Sequence, residues 1–407
     1  MNFSVEGIII VGSFLVFISA IVSKFSSEFG VPVLLIFLGI SMLAGSDGIG
    51  GIVFNNSYAT QVFGSVTLSL ILFNGGLCTD FEKIKSIIRP GLLLSTVGVL
   101  LTSVFLGFFV YFICNFSLPE SILMGSLVAS TDAAAVFSIL KSSKLKIRDQ
   151  LSLVLEFESG SNDAMAYFLT VFFTTMIKSS VSMSPLECIS FFVQEILFGA
   201  LLGLYMGFAI QYIVTKIDFQ NDLFYPCVTF SMALLTYGVT NYTNGNGFLA
   251  VYLAGLVLGK ENFKYKEHLI LFHSSTAWIF QMVMYISLGL LVNPSQLPDV
   301  FVKGTAISLI LMFIARPIGV FVSLIGSQFS AKEKIFLSFV GLRGATSIVF
   351  ATFPILSMVN RSDEMFNIVF FVVIISVLFQ GTIIPFVAKC LKLQSDGTKY
   401  ECKLLDK

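Results

Sequence analysis

Two stretches of this sequence interrupt long apolar runs with small and charged residues. Residues 126–136 read SLVASTDAAAV, and residues 340–349 read VGLRGATSIV. Each places an ionisable side chain, Asp132 or Arg343, at a depth where a membrane helix is normally apolar. Such a stretch can unwind locally and turn backbone carbonyls and helix ends toward an ion. The two stretches therefore predict an all-α integral membrane protein with two interrupted helices.

The composition agrees with a membrane protein. The 407 residues include 24 Lys and Arg and 24 Asp and Glu, so the formal net charge is zero, and only 12% of the residues are charged. Soluble domains are about one quarter charged. The composition therefore argues against a soluble multi-domain enzyme and against a nucleic-acid binder, which would carry a basic surface. The six cysteines are scattered and suggest neither a zinc site nor a disulfide framework.

Thirteen segments are candidates for membrane spans, since a helix needs about 20 apolar residues to cross a bilayer. We predict spans at about residues 4–23, 30–46, 60–79, 91–113, 118–140, 150–177, 186–214, 223–240, 246–259, 268–292, 304–326, 335–358 and 364–388. Residues 241–247, between spans eight and nine, form either a loop that joins two separate spans or a re-entrant bend.

The basic residues of the loops predict the orientation. Fourteen Lys and Arg residues fall in the odd-numbered loops and three in the even-numbered loops. Basic residues concentrate in cytoplasmic loops. We therefore expect the N-terminus outside and the C-terminus in the cytoplasm.

An odd number of spans favours two six-helix halves joined by a middle span. Spans one to six and eight to thirteen would then be inverted repeats, which is a common plan for transporters. The polar stretches at 126–136 and 340–349 support this division, because each lies in the fifth span of its half.

Span six contains EFESGSNDAMAY, which starts at Glu156. At helical spacing, Glu156, Ser159 and Asp163 lie on one stripe, and Glu158 and Asn162 lie on the adjacent stripe. Their carboxylate, hydroxyl and amide oxygens are hard ligands that suit alkali cations. Ionisable residues at this depth are costly and usually functional. The alternative for this face is a set of interhelical hydrogen bonds alone.

Two arginines also fall inside predicted spans, Arg316 in span eleven and Arg343 in span twelve. A buried guanidinium needs a carboxylate partner. We expect Glu158 to pair with Arg343, which leaves Asp163 free to bind a proton. Arg316 either pairs with another carboxylate or extends to an interface. Asn74, in ILFNGGL, either lines a pathway or bonds across helices.

These residues predict exchange of a cation for a proton. Burial disfavours the charged form of a carboxylate, so such a group can hold either a proton or a cation, but not both well. Asp163 is the expected exchanged carboxylate, with Asp132 as a second ligand. Asn162 stands where another carboxylate would add a second proton, so we expect electroneutral, one-for-one exchange.

Two other functions remain as alternatives. An intramembrane aspartyl protease would use Asp132 and Asp163 as a dyad, but its GxGD motif is absent. A cation channel needs a continuous wet path with weak binding at several sites. Carboxylates clustered in one region favour a single alternating site instead.

Three motifs, in this order, resemble the signature motifs of the NhaP-type bacterial cation/proton antiporters. They are TDAAAV at 131–136, ESGSNDA at 158–164 and GLRGA at 341–345. The resemblance extends over residues 5–392, and that family shares its fold with the animal sodium/proton exchangers. The segments ILFNGGL, ARPIGVF, FVGLRGATSIVFATFPIL and FFVVIISVLFQGT are most similar to the potassium/proton antiporter subgroup.

The resemblance implies a NhaA/NhaP-like transporter fold, which forms a homodimer in the bacterial inner membrane. It implies no enzymatic activity and no cofactor beyond the transported cation and proton. Core ion-transport helices are expected at 91–177 and 301–392, and they would move against scaffold and dimer helices at 1–90 and 178–300. A short cytoplasmic tail is expected at 393–407.

Motif matching also implies the cation site. Its ligands would be the backbone oxygen of Thr131 and the side chains of Asp132, Ser159 and Asp163, with a monovalent cation between them. Asn162 matches the asparagine of the family.

The remaining matched residues have supporting roles. Glu158 with Arg343 matches the structural ion pair of the family, and Glu156, Asn74 and Arg316 are candidates for the pathway. The expected partners are membrane lipid, a second copy of the chain, a proton and either K⁺ or Na⁺, with K⁺ favoured by the subgroup resemblance alone. No nucleic acid is expected.

Overall fold

A computed structural model describes residues 5–29, 33–54, 56–179 and 185–394. Within these ranges the regular secondary structure is helical, apart from two isolated bridges between single residues. The all-α class predicted from the sequence is thus confirmed. The predicted tail at 393–407 lies outside the described residues from 395 onward.

The longer helices are numbered in chain order, with the two parts of an interrupted helix marked a and b; a short helix, Phe81–Ile84, lies between α3 and α4 and is left unnumbered. Their bounds are α1 (Val5–Phe29), α2 (Val33–Ala44), α3 (Ser57–Cys78), α4 (Ile88–Cys114), α5a (Leu118–Leu127), α5b (Ala133–Ser142), α6 (Asp149–Ser179), α7 (Pro185–Lys216), α8 (Phe224–Tyr242), α9 (Gly247–Lys260), α10 (Lys266–Leu291), α11 (Pro294–Ser323), α12a (Ala331–Phe339), α12b (Ala345–Leu356) and α13 (Ser362–Cys390). In the described part of the chain, six helices are long and apolar enough to cross a membrane: α3, α4, α7, α10, α11 and α13. The chain is therefore a multi-pass membrane protein.

Predicted spans five and twelve are each broken in the middle. Residues 128–132 separate α5a from α5b, and residues 340–344 separate α12a from α12b. A break leaves helix-terminal N–H and C=O groups without intrahelical partners. The interruption predicted from the two polar stretches is therefore observed, and each break presents backbone polar groups inside the protein.

The two breaks lie against each other. The backbone N–H of Asp132 donates to the carbonyl of Leu342 at 2.8 Å. A Cβ atom on Gly344 would overlap the Asp132 carboxylate, so the close approach requires glycine at this position. The two polar stretches thus form one crossing, although Asp132 and Leu342 are 210 positions apart in the sequence.

The helices pack as two sets. One set contains α2, α3 and α7 to α10, and the other contains α4 to α6 and α11 to α13. Small residues permit the tightest crossings. A Cβ atom on Gly255 of α9, for example, would overlap the backbone of Phe73 in α3. The sets meet where α12b packs on α3 and α6 packs on α9.

An ion pair joins the loop before α6 to the start of α12a. Arg148 Nη1 lies 3.2 Å from Glu333 Oε1. Glu333 also accepts hydrogen bonds from the backbone N–H and hydroxyl of Ser330, which caps α12a. Partial burial alone would raise the pKa of Glu333, but the Ser330 groups and Arg148 outweigh it and hold the pKa below its ordinary value of 4.5.

We expect Glu333→Gln to lower stability in a pH-dependent way. A carboxyl whose pKa is lowered by folding stabilises the fold above its unfolded pKa, and that contribution is lost as the pH falls through the folded pKa. The variant should lose about 0.5–1 kcal/mol at neutral pH, and the difference from wild type should vanish in acid. Thermal midpoints in detergent across a pH series would measure this, with the exposed Glu261→Gln as the control. A difference that stays constant with pH would contradict the expectation.

Candidate functional site

The middle of α6 is bonded to the break in α5. The Asp163 carboxylate accepts a hydrogen bond from the Ser130 hydroxyl, and only 7% of Asp163 is exposed. The neighbouring Asn162 donates its amide to Thr131 Oγ1 at 2.5 Å. Two adjacent residues of α6 therefore hold two adjacent residues of the break.

Ser159 and Asp132 complete this contact. The Ser159 hydroxyl donates to the Thr131 carbonyl at 2.9 Å and accepts from the backbone N–H of Ala133 at 3.1 Å. Asp132 caps α5b, because its Oδ1 accepts from the backbone N–H of Ala135 at 3.1 Å. Ser159 and Asp132 thus satisfy the Thr131 carbonyl and the N–H groups of Ala133 and Ala135 at the break.

The structure brings together the five residues that the sequence analysis placed around the cation. They are Thr131, Asp132, Ser159, Asn162 and Asp163. The two carboxylates are near enough to interact electrostatically. Asn162 Oδ1 is buried and accepts no hydrogen bond from the described atoms. Carboxylate, amide and carbonyl oxygens with free lone pairs are the donor set that an alkali cation prefers.

Glu158 does not pair as predicted. Its Oε1 lies 2.6 Å from Arg316 Nη2, and both side chains are buried, whereas the sequence analysis assigned Glu158 to Arg343. Arg316 accordingly neither extends to an interface nor lacks a partner. The reason is that α11 brings its arginine directly against α6, where a buried carboxylate neutralises it.

Arg343, in the break of α12, is hydrogen-bonded to the break of α5 and to α13. Its Nη1 donates to the carbonyl of Ser130 at 2.8 Å, and its backbone N–H donates to Ser376 Oγ at 3.0 Å. Ser376 in turn donates to Gln380 at 2.5 Å, and Gln380 donates to the carbonyl of Phe339 at 3.1 Å. The guanidinium thus satisfies a carbonyl that the break in α5 leaves free.

Three of these residues were missed by the sequence analysis: Ser130, Ser376 and Gln380. Ser130 lies within the quoted stretch SLVASTDAAAV, beside Asp132. Gln380 is a polar residue inside the apolar last span, and that contrast is the signal that could have identified it. Ser376 has no such signal, since a lone serine in a membrane helix commonly bonds its own backbone.

Two candidates for the pathway lie apart from the cluster. Glu156 is exposed on α6 and interacts electrostatically with Lys83, which lies in the short helix Phe81–Ile84 between α3 and α4. Asn74 of α3 accepts a hydrogen bond from the Ser274 hydroxyl of α10 at 3.1 Å. Asn74 therefore bonds across helices, which was one of the two roles considered for it.

The residues of α6 on the two sides of Asp163 differ in exposure and packing. Exposure falls along α6 from the exposed Glu156 through the half-buried Ser159 to the buried Asp163. One turn further on, the ring of Tyr167 packs against Phe248 and Phe353, with centroid distances of 4.8 and 5.5 Å. Aromatic packing therefore covers the cluster on that side, and the more exposed residues of α6 lie on the other side, toward Glu156.

Comparison with known proteins identifies the family of this chain. The family described as "Sodium/hydrogen exchanger, transmembrane" matches residues 13–390. A K(+)/H(+) antiporter NhaP from Alkalimonas amylolytica is 40% identical over 386 residues, which cover 95% of this chain and 67% of that protein. A K(+)/H(+) antiporter NhaP2 from Shewanella baltica (strain OS223) is 35% identical over 396 residues, which cover 96% of this chain and 68% of that protein.

A solved structure shares the fold. The structure of the sodium proton antiporter MjNhaP1 from Methanocaldococcus jannaschii matches with a TM-score of 0.82 and covers 94% of this chain and 98% of that one. Its sequence is 22% identical, so the match concerns the fold alone. The family match over residues 13–390 and the 40% identity to the Alkalimonas amylolytica protein show that the chain belongs to the sodium/hydrogen exchanger family.

Proposed function

We propose that this protein is a secondary transporter that exchanges one monovalent cation for one proton by alternating access. The observation that carries the proposal is the pair of carboxylates, the half-buried Asp132 and the buried Asp163, at the crossing of two broken helices. Each carboxylate is surrounded by hard oxygen atoms, and neither is bonded to a basic side chain in the described residues. Either a proton or a cation can supply the missing positive charge.

The charges around the crossing support a one-for-one exchange. Glu158 and Arg316 cancel each other. The two half-helix N-termini and the two half-helix C-termini at the breaks carry opposite partial charges of about half a unit each, so they also cancel. Asp132 and Asp163 against Arg343 leave one negative charge. One monovalent cation or one proton neutralises it, and an empty site would carry a charge across the membrane at high cost.

The helix packing supports a mechanism in which one set of helices moves against the other. We assign the set with α4 to α6 and α11 to α13 as the core expected at 91–177 and 301–392, and the other set as the scaffold expected at 1–90 and 178–300. We assign the more exposed side of the cluster, toward Glu156, as the open side of this state, because an alternating transporter opens to one side at a time. Movement of the core would close the route beside Glu156 and separate Tyr167 from Phe248.

The remaining proposals concern topology and assembly. Thirteen spans in two inverted repeats are supported by the matching places of the breaks at 128–132 and 340–344, each in the fifth span of its half. We place the protein as a homodimer in the bacterial inner membrane, with its N-terminus outside. We propose K⁺ rather than Na⁺ as the substrate, because both relatives are named as K(+)/H(+) antiporters.

Purified protein in liposomes that contain a pH-sensitive dye tests the proposal. Addition of K⁺, Na⁺ or Li⁺ outside should release protons from the lumen, and clamping the membrane potential at different values should leave the rate unchanged. Cation uptake driven by the potential without proton movement would instead indicate a channel. Absence of any flux, together with cleavage of membrane peptides, would indicate the protease.

A further inference from the structure

A tyrosine of the scaffold set reaches into the crossing. Tyr285 lies in α10, and only 2% of it is exposed. Its hydroxyl oxygen accepts a hydrogen bond from the backbone N–H of Ala345 at 3.0 Å. Ala345 is the first residue of α12b, and its N-cap residue, Gly344, provides no side chain to cap the helix. Tyr285 therefore supplies from another helix the cap that the broken helix lacks.

The same hydroxyl faces the candidate ion site. Asp132 is the carboxylate that interacts electrostatically with Tyr285. The Asp132 carboxylate lies against Gly344, the residue before Ala345, because a Cβ atom on Gly344 would overlap it. A tyrosine hydroxyl that accepts one hydrogen bond still has a proton to donate. Among the described hydrogen bonds, that proton has no acceptor.

We propose that Tyr285 is a positioning residue for the exchange reaction, whose hydroxyl holds the start of α12b and donates to the Asp132 carboxylate when the site is ionised. The inference rests on the proposed cation/proton exchange. It adds a connection between the two sets of helices at the ion site itself, since α10 belongs to the scaffold set and α12b to the core set. Tyr285 does not need to touch the cation, because it acts through Asp132 and Ala345.

Tyr285→Phe tests this role, because it removes one oxygen and keeps the ring. Loss of a donor to the carboxylate favours its protonated form, so protons compete better with the cation. We expect the apparent KM for the cation to rise about three- to tenfold, and the pH of half-maximal exchange to rise by about half to one unit. The maximal rate at saturating cation should change less than the KM does.

Tyr225→Phe is the matched control. Tyr225 is also buried, with 3% exposed, and its hydroxyl also bonds the backbone, accepting from Phe219 N–H at 3.4 Å and donating to the Ile217 carbonyl at 3.2 Å. It lies in α8, away from the crossing. Its removal should leave both the KM and the pH profile of exchange at the wild-type values.

A second measurement keeps the test independent of transport. The rise in thermal midpoint on adding K⁺ or Na⁺ to protein in detergent reports cation binding, and Tyr285→Phe should need a higher concentration for half of that rise. Wild-type kinetics and wild-type binding in Tyr285→Phe would overturn the inference, as would equal impairment in Tyr225→Phe. A wild-type protein without cation/proton exchange would instead overturn the proposed function.

Discussion

Asp163→Asn is expected to reduce cation-driven proton flux to the level of protein-free liposomes. Asparagine keeps the size of the side chain and an oxygen that can accept from Ser130, so the contact with the break in α5 is retained. It can neither ionise nor release a proton at any accessible pH. If Asp163 is the exchanged carboxylate, the variant loses both half-reactions while keeping its fold.

Asp149→Asn is the matched control for this experiment. Asp149 is in the first turn of the same helix, but it is exposed. Its replacement should leave the flux unchanged. Size-exclusion profiles and thermal midpoints of both variants would verify that they fold. Flux that survives in Asp163→Asn would move the exchanged proton to another group and refute the assignment of the site.

Removal of either partner of the Glu158–Arg316 pair is expected to be the most destabilising single change in the core. Each replacement leaves a charge buried without a counter-charge, which costs about 3–5 kcal/mol. We therefore expect Arg316→Met and Glu158→Met each to lower the thermal midpoint in detergent by a large amount. The double variant should recover most of the loss, because it removes both charges together and leaves side chains of similar volume.

The same cycle with Arg343 tells the two possible partners apart. The coupling energy between Glu158 and Arg316 should exceed that between Glu158 and Arg343, because the guanidinium of Arg343 is bonded to the Ser130 carbonyl. A larger coupling with Arg343 would contradict the pairing that the structure shows and would favour the pairing expected from the sequence.

Much of the site followed from the sequence because its signals are local. A polar stretch in an apolar run predicts a broken helix, and the spacing of Ser159 and Asp163 along α6 places both on one face. Both of these residues bond the break in α5. Helical periodicity and the cost of charges in a membrane were sufficient for that part of the fold.

The partner of Glu158 depended on information that periodicity does not contain. Both arginines lie inside predicted spans, and each could neutralise the carboxylate. The choice follows from how α11 and α12 approach α6 in three dimensions, together with the free carbonyl of Ser130 that Arg343 satisfies. Tyr285 was missed for a similar reason, because a tyrosine in an apolar helix gives no hint that it caps another helix.

The pairing of Glu158 with Arg316 has a consequence for biosynthesis. The ribosome adds Arg316 only 158 residues after Glu158, which at about 5–20 residues per second takes roughly 8–30 s. During that interval the acidic α6 has no arginine to neutralise it, and a carboxylate at the centre of a lipid-exposed helix costs about 2.5–3.5 kcal/mol to insert. The Glu158–Arg316 pair can therefore form only after α11 has been synthesised, so this contact between the two halves of the chain is completed late in assembly.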